Sequence, residues 1–98
     1  MPYQILYSPD AEDHLRGLTA RQRSIVLDTI DRQLAHQPTL ETKNRKPLRQ
    51  NPLAAWEVRI GRMRVFYRVE EAEHAVQVLA VGVKQRHHVY LGEKAVEL

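Results

Sequence analysis

Residues 56–69, WEVRIGRMRVFYRV, decide the fold class of this 98-residue chain. Apolar side chains occupy every second position from Trp56 to Ile60 and again from Met63 to Val69, and most positions between them are charged. A period of two is the pattern of a β-strand with one face in the core. Because Gly61-Arg62 interrupts the pattern, the stretch predicts two antiparallel strands joined by a tight turn.

The segments that flank this stretch predict one more strand and a loop. After a polar turn at residues 70–74, Ala75–Val83 (AVQVLAVGV) is apolar on both faces apart from Gln77. Such a strand belongs in the centre of a sheet or beneath helices, so the three strands predict an antiparallel meander. Residues 37–51 are polar, basic and bounded by prolines, which predicts a long surface loop. The tail, residues 84–98, ends in a weakly amphipathic segment.

Two helices are predicted ahead of the meander. Tyr3–Tyr7 (YQILY) has the aromatic and branched composition of a first strand. Ser8 fits the N-cap of a short helix, and Thr19-Ala20-Arg21-Gln22 fits a capping box that opens a second one. This second helix should end near His36, before a proline. Its core-facing stripe recurs every fourth residue, at Val26, Ile30 and Leu34.

These elements predict a single α+β domain over residues 1–98. The expected order is an N-terminal strand, an αα-hairpin and the three-stranded meander, in one mostly antiparallel sheet with the helices on one face. The absence of cysteine excludes a disulfide framework, a thiolate zinc site and a cysteine nucleophile. No segment has the roughly 20 apolar residues of a membrane helix, and the start MPYQILYSPD has no signal-peptide pattern. We therefore expect a cytoplasmic protein without a membrane partner.

Positive charge is concentrated in the middle of the chain. Residues 43–68 carry eight basic side chains and one acidic side chain, Glu57, whereas the flanking segments are each weakly acidic. A block of this density within a folded domain indicates a polyanionic or strongly acidic partner. Arg59, Arg64 and Arg68 should emerge on the sheet face that the helices leave open, or at its rim, where guanidinium groups suit phosphate binding.

The chain resembles the RelE/ParE superfamily of bacterial toxins. The resemblance rests on the order of the elements and on three segments: the basic approach at residues 43–48, the stretch WEVRIGRMRVFY at 56–67, and VLAVGVKQRHHVY at 78–90. It implies the toxin of a type II toxin–antitoxin module, with a cognate antitoxin as its partner and a toxin–antitoxin heterotetramer as one compatible assembly.

Two branches of that superfamily act differently, and a third outcome stays open. RelE-like members cleave mRNA in the ribosomal A site, ParE-like members inhibit DNA gyrase, and a degenerate member would only bind its antitoxin. The terminal basic, histidine and tyrosine residues favour the RelE-like branch, with the ribosome and mRNA as partners and with no cofactor or metal. Glu57 does not match the RelE-like branch at one position. The best-studied ribosome-dependent members have lysine there, although some members use a glutamate as their base.

The resemblance also implies roles for individual side chains. Arg64 would sit over the scissile phosphate, Arg59 would stabilise charge or transfer a proton, and Lys84 takes a position that is arginine in many members. His88 would serve as general acid, with His87 on the opposite side of an extended segment, and Tyr90 would stack on a base or take part in proton transfer. The expected catalytic set is thus Arg59, Arg64, Lys84, His88 and Tyr90. The expected RNA-binding set is Lys43, Arg45, Lys46, Arg49, Arg62, Arg68, Arg86 and His87.

Overall fold

The computed structural model describes residues 1–49, 51, 53–92 and 94–96. Within these ranges the chain forms two α-helices and seven strands. In chain order they are β1 (Gln4–Tyr7), α1 (Pro9–Arg16), α2 (Ala20–Thr29), β2 (Arg45–Pro47), β3 (Trp56–Ile60), β4 (Met63–Glu70), β5 (Ala75–Gln85), β6 (His88–Leu91) and β7 (Lys94–Val96).

Both helices begin at the caps that the sequence predicts. The Ser8 hydroxyl accepts a hydrogen bond from the backbone N–H of Ala11 at 3.0 Å. Thr19 and Gln22 make both hydrogen bonds of the capping box. A π-helical turn, Ile30–Leu34, continues α2 toward the predicted end near His36. No helix in the described ranges has both the length and the apolar character needed to cross a membrane.

The sheet is antiparallel except at its first strand. Its strands lie in the order β2-β3-β4-β5-β6-β7, and β1 pairs in parallel with the first part of β5. The long strand β5 therefore has β4 along one edge, and β1 followed by β6 along the other. Helices, an antiparallel meander and one parallel strand confirm the predicted α+β class.

A β-bulge in β5 changes which residues of that strand face the helices. Phe66 pairs with Ala80 and Tyr67 pairs with Val78, so Leu79 is an extra residue opposite β4. An extra residue reverses the alternation of side chains beyond it. Val78 and Val81 consequently both point into the core beneath the helices.

The main core lies between the helices and one sheet face. It contains apolar residues of α1, α2 and the π-turn packed on alternate residues of β3, β4 and β5, including Leu15, Val26, Ile30, Val58, Val65, Tyr67 and Val76. A smaller apolar cluster covers part of the opposite face, which we call the open face. It contains Ala54, Phe66, Ala80 and Val89. The remainder of the open face is available for binding.

Two segments for which the sequence predicts no strand, the loop 37–51 and the tail 84–98, contain short strands. The predicted loop 37–51 contains β2, which pairs with β3 through Arg45 opposite Val58 and Lys46 opposite Glu57. The tail contains β6 and β7, which extend the sheet beyond β5. The predicted three-stranded meander is confirmed as β3, β4 and β5. The sequence did not predict β2, β6 and β7, because these short strands are stabilised by their neighbours rather than by their own pattern.

Candidate nucleic-acid interface

A cleft of about 570 Å³ opens on the open face. It lies toward the end of the sheet where the β3–β4 and β5–β6 turns stand side by side. Each strand from β2 to β6, or the turn beside it, contributes to the wall. We call it the basic cleft, and its lining is Lys46, Pro47, Leu48, Glu57, Arg59, Arg64, Lys84, His87, His88 and Val89.

Strand register brings the cations of the basic cleft together. Arg59 on β3 lies directly opposite Arg64 on β4, and Lys46 on β2 lies directly opposite Glu57. Lys84 on β5 joins them from the far wall. Like charges opposite each other on neighbouring strands repel, so the pairing of Arg59 with Arg64 requires a nearby anion. Glu57 supplies it.

The Glu57 carboxylate lies between the two arginines. Glu57 exposes only 6% of its surface. Its Oε2 lies 3.5 Å from Nε of Arg59, and its Oε1 lies 3.9 Å from Nε of Arg64. A buried carboxylate needs such partners, because burial without them is costly. The cleft therefore has an anion built into its wall.

The guanidinium of Arg64 is held against the β3–β4 turn. Its Nη1 donates hydrogen bonds to the carbonyl oxygens of Gly61 at 2.8 Å and Met63 at 2.9 Å. Burial, and then the charge of Arg59, lowers the pKa of Arg64, while Glu57 acts in the opposite direction. Arg64 thus supplies a fixed, partly desolvated charge, whereas the side chain of Arg59 is 42% exposed and can meet a ligand from solvent.

Both histidines of the β5–β6 connection line the cleft. Gln85 pairs with His88, so Arg86 and His87 form a two-residue turn. Arg86 adopts the left-handed conformation, with φ of 58°. His87 belongs to the turn and His88 is the first residue of β6, so the two histidines do not lie on one extended segment as expected.

The structure does not bring Tyr90 into the cleft. Tyr90 pairs with Val83, which packs against the core beneath the helices. A β-carbon on Gly82 would instead meet the side chains of Val89 and Leu91, which places those two residues on the open face. Tyr90 therefore faces the helix side, and so does the side chain of His88 two positions earlier, whose ring centroid lies 6.5 Å from that of Tyr90. The expectation that Tyr90 converges with Arg59 and Arg64 has to be corrected.

Arg45 also lies away from the cleft. It exposes 5% of its surface and pairs with Val58, on the helix side of β2. Its guanidinium donates hydrogen bonds to the carbonyl oxygens of Gln37 and Leu40 and to the side-chain oxygen of Gln33. An RNA contact through Arg45 does not fit this position. Side chains alternate along β2, so Arg45 faces the helices and its neighbour Lys46 faces the cleft.

The other predicted RNA-binding residues surround the cleft at varying distance. Arg62 adjoins Lys84, since its Nε donates to the Lys84 carbonyl at 3.4 Å. Arg68 lies in a second hollow of the open face, of about 530 Å³, and its Nε donates to the side chain of Gln77 at 2.9 Å. Arg86 is exposed on the β5–β6 turn, and Lys43 and Arg49 are exposed on either side of β2.

The sequence did not predict the apolar residues that line the basic cleft. Leu48 lines both the basic cleft and the second hollow, and Val89 closes the wall beside His88. Leu48 directly follows β2 and Val89 lies in β6, so only the pairing of these short strands could have indicated their position. Among the described residues, no group of three or more histidine, cysteine, aspartate or glutamate side chains is arranged to hold a metal ion.

The cleft combines the groups that phosphoryl chemistry uses. Four cations, Lys46, Arg59, Arg64 and Lys84, can stabilise negative charge on a phosphate. Histidines and a carboxylate beside them can hold or accept protons. The arrangement suits a phosphodiester backbone laid across the end of the sheet.

Comparison with known proteins identifies the family. A profile of the family described as ParE toxin of type II toxin–antitoxin system, parDE, matches residues 5–87. The chain is a toxin of this family. The match confirms the resemblance to the RelE/ParE superfamily that the sequence indicates. No curated protein sequence matches the toxin.

Solved structures with the same fold include RelE toxins. A chain of the RelBE2 toxin–antitoxin complex from Mycobacterium tuberculosis is 25% identical to the toxin, with a TM-score of 0.76 over 86% of this chain and 93% of that chain. The isolated RelE toxin of E. coli is 21% identical, with a TM-score of 0.71 over 86% of each chain. The archaeal RelE–RelB complex from Pyrococcus horikoshii OT3 gives 20% identity and a TM-score of 0.71 over 88% of this chain and 99% of that chain. The latter two likenesses establish the fold alone.

Proposed function

We propose that the toxin is a ribosome-dependent mRNA endonuclease that inhibits translation in the cytoplasm. The observation that carries the proposal is the basic cleft, in which four cations, two histidines and one carboxylate line one solvent-open hollow. Membership of a toxin family supports it. The phosphate backbone of RNA is a ligand that such a concentration of lysine and arginine favours.

The chemistry would be attack of the 2′-hydroxyl on the adjacent phosphorus. Arg59 and Lys84 would contact the phosphate, and Arg64 would add a fixed charge behind it. A proton must leave the 2′-oxygen and another must reach the 5′-oxygen of the leaving nucleotide. We assign these transfers to His87 and Glu57, because the side chain of His88 lies on the same side of β6 as Tyr90. Because Tyr90 faces away from the cleft, it has no assigned step.

The proposed partners are the ribosome with its mRNA, and a cognate antitoxin that neutralises the toxin. An antitoxin segment with acidic side chains would complement the basic cleft, and its apolar residues would fit the leucine-lined second hollow beside it. A toxin–antitoxin heterotetramer is compatible with this arrangement.

The test is induction of the wild type and of cleft variants in a bacterial host, followed by mapping of mRNA 5′ ends and of protein synthesis. We expect the wild type to produce new 5′ ends within translated codons. Lys84→Ala and the double variant His87→Ala/His88→Ala should reduce that cleavage about 100-fold or more, since each loss of transition-state stabilisation or proton transfer costs about this factor.

The matched control for the histidines is His36→Ala, an exposed histidine at the end of the helical layer. Its cleavage should equal that of the wild type. Growth arrest with intact mRNA, or cleavage that persists in the histidine double variant, would contradict the proposal.

A second candidate function is inhibition of DNA gyrase. Two observations favour it: the matching family profile is that of ParE toxins, and Arg64 is engaged by Glu57 and by backbone carbonyls rather than displayed. Under this alternative, induction would trigger DNA-damage signalling and leave mRNA intact. A chain that causes neither effect would be a degenerate member that only binds its antitoxin.

A further inference from the structure

The anion position between Arg59 and Arg64 is already filled. Glu57 Oε2 lies 3.5 Å from Arg59 and Oε1 lies 3.9 Å from Arg64. A phosphate oxygen that approached the same two guanidinium groups would enter the field of this carboxylate. Negative charges at such separations repel strongly in a partly desolvated site.

The two arginines differ in how readily a ligand can reach them. Arg59 has 42% of its side chain exposed, and its recorded ion pair in the cleft is with Glu57. Arg64 is 7% exposed, and its Nη1 is occupied by Gly61 and Met63. A phosphate entering from solvent would therefore meet Arg59 first, and Glu57 would keep Arg64 as its remaining partner.

We propose that Glu57 is an internal counter-ion that a nucleic-acid phosphate must displace from Arg59 when the basic cleft binds. Glu57 thereby limits the affinity of the cleft and sets how strongly that affinity depends on salt. This inference takes one point from the proposed function, namely that the basic cleft binds a nucleic-acid backbone.

Neutralising Glu57 should have opposite effects on binding and on stability. Removal of the carboxylate charge frees Arg59 for phosphate and removes repulsion from the ligand, so binding tightens. The same change leaves the buried charge of Arg64 without its counter-ion, which destabilises the unliganded fold. A phosphate ligand should then stabilise the variant more than it stabilises the wild type.

The experiment compares the wild type with Glu57→Gln, which keeps the shape of the side chain and removes its charge. The probe is a short single-stranded oligodeoxynucleotide, which lacks the 2′-hydroxyl and so binds without being cleaved. Fluorescence anisotropy over a series of salt concentrations gives the dissociation constants. We expect Glu57→Gln to bind about tenfold more tightly at low salt, the size of one close charge pair. The slope of log affinity against log salt should steepen by about 0.7, the value for one additional phosphate contact on a single strand.

The matched control is Asp28→Asn. Asp28 forms an ion pair with Arg32 at 2.9 Å on the surface of the helical layer, so this variant makes the same change in net charge outside the cleft. It should change the affinity less than twofold. A Glu57→Gln affinity equal to or weaker than that of the wild type, in a folded protein, would overturn the inference, as would an equal gain in Asp28→Asn.

A second pair of variants keeps the test decisive if Glu57→Gln does not fold. Arg64→Met removes the buried charge, so Arg64→Met and Glu57→Gln/Arg64→Met differ only in the carboxylate beside Arg59. Tighter binding by the double variant supports the inference, and equal binding refutes it. Failure of the proposed function has a different signature: tighter binding by Glu57→Gln with no mRNA cleavage by the wild type refutes the nuclease alone.

Discussion

At the scale of single residues, the buried guanidinium of Arg45 organises the segment that leads to the cleft. Its Nη1 donates to the carbonyl oxygens of Gln37 at 2.6 Å and Leu40 at 3.1 Å, and its Nη2 donates to Oε1 of Gln33 at 3.0 Å. These bonds tie the chain between the π-turn and β2 to the helical layer. Since Lys46 follows directly, Arg45 fixes one wall of the cleft without touching a ligand.

We predict that Arg45→Lys lowers the free energy of unfolding by about 2 kcal/mol, because one ammonium cannot replace a planar fork that serves three acceptors and buried acceptors are left without donors. Urea denaturation followed by circular dichroism measures this change. Lys43→Ala, an exposed substitution two residues away, should alter stability by less than about 0.5 kcal/mol. A stability of Arg45→Lys equal to that of the wild type would show that the guanidinium is dispensable.

Tyr7 makes the stability of the fold sensitive to alkaline pH. Burial, and then the charge of Asp31, raises the pKa of Tyr7 to about 12 from its usual 10. Between these values the unfolded chain loses the phenolic proton while the folded chain retains it, so stability falls as pH rises through that range. Because Tyr7 is only half-buried, we expect this loss to amount to about 1–2 kcal/mol.

Substitution Tyr7→Phe tests this dependence, because phenylalanine cannot titrate. The difference in unfolding free energy between pH 9.5 and pH 11.5 should be smaller in Tyr7→Phe than in the wild type by the same amount. Deprotonation of the lysines is common to both proteins and cancels in the comparison. Parallel curves for the two proteins would exclude Tyr7 as the source.

At the scale of elements, the β5–β6 hairpin depends on close packing at Gly82. A β-carbon at this position would lie 2.6 Å from Cγ1 of Val89 and 2.9 Å from Cδ2 of Leu91. Both contacts are shorter than side chains tolerate, and Val89 is part of the apolar cluster on the open face. The hairpin carries Lys84, His87 and His88, so the packing of one glycine supports one wall of the cleft.

We expect Gly82→Ala to destabilise the fold by about 1–3 kcal/mol, because it overpacks a filled site. Hydrogen exchange should show faster exchange at the amides of Val89 and Tyr90 in this variant. The control is Gly17→Ala at the end of α1, where the nearest atom would be 3.5 Å away and φ is −76°. That change should be neutral or stabilising by less than about 1 kcal/mol. Similar effects of the two substitutions would exclude crowding at Gly82 as the cause.

At the scale of the whole molecule, patterns that a segment carries in its own sequence were sufficient to predict much of the fold. The alternation of residues 56–69 predicted β3 and β4, and the caps at Ser8 and Thr19 predicted where the helices begin. Strands β2 and β7 have three residues each, too few for a pattern. They exist because β3 and β6 offer them unpaired edges, which is tertiary information.

The residues of the candidate site could be placed from the sequence only where the strands that carry them could be predicted. The positions of Arg59 and Arg64 follow from the alternation of β3 and β4, whereas the side taken by Lys84 depends on the bulge at Leu79 in β5. The sides taken by Arg45 and Tyr90 depend on the register of short strands, and a shift of one residue moves every side chain to the other face. The turn at Arg86-His87 sets that register in β6, and its left-handed residue is not glycine, so no common turn signature marks it.

The parallel pairing of β1 with β5 constrains the order in which a nascent chain can fold. Gln4–Tyr7 is synthesised before the rest of this domain, yet its partner, Ala75–Val78, is translated about seventy residues later. The early strand and its two helices must wait, with their apolar faces uncovered, until most of the chain has been made. The strand that completes this layer, β5, also carries Lys84 into the cleft, so the binding surface cannot form before β5 has been synthesised.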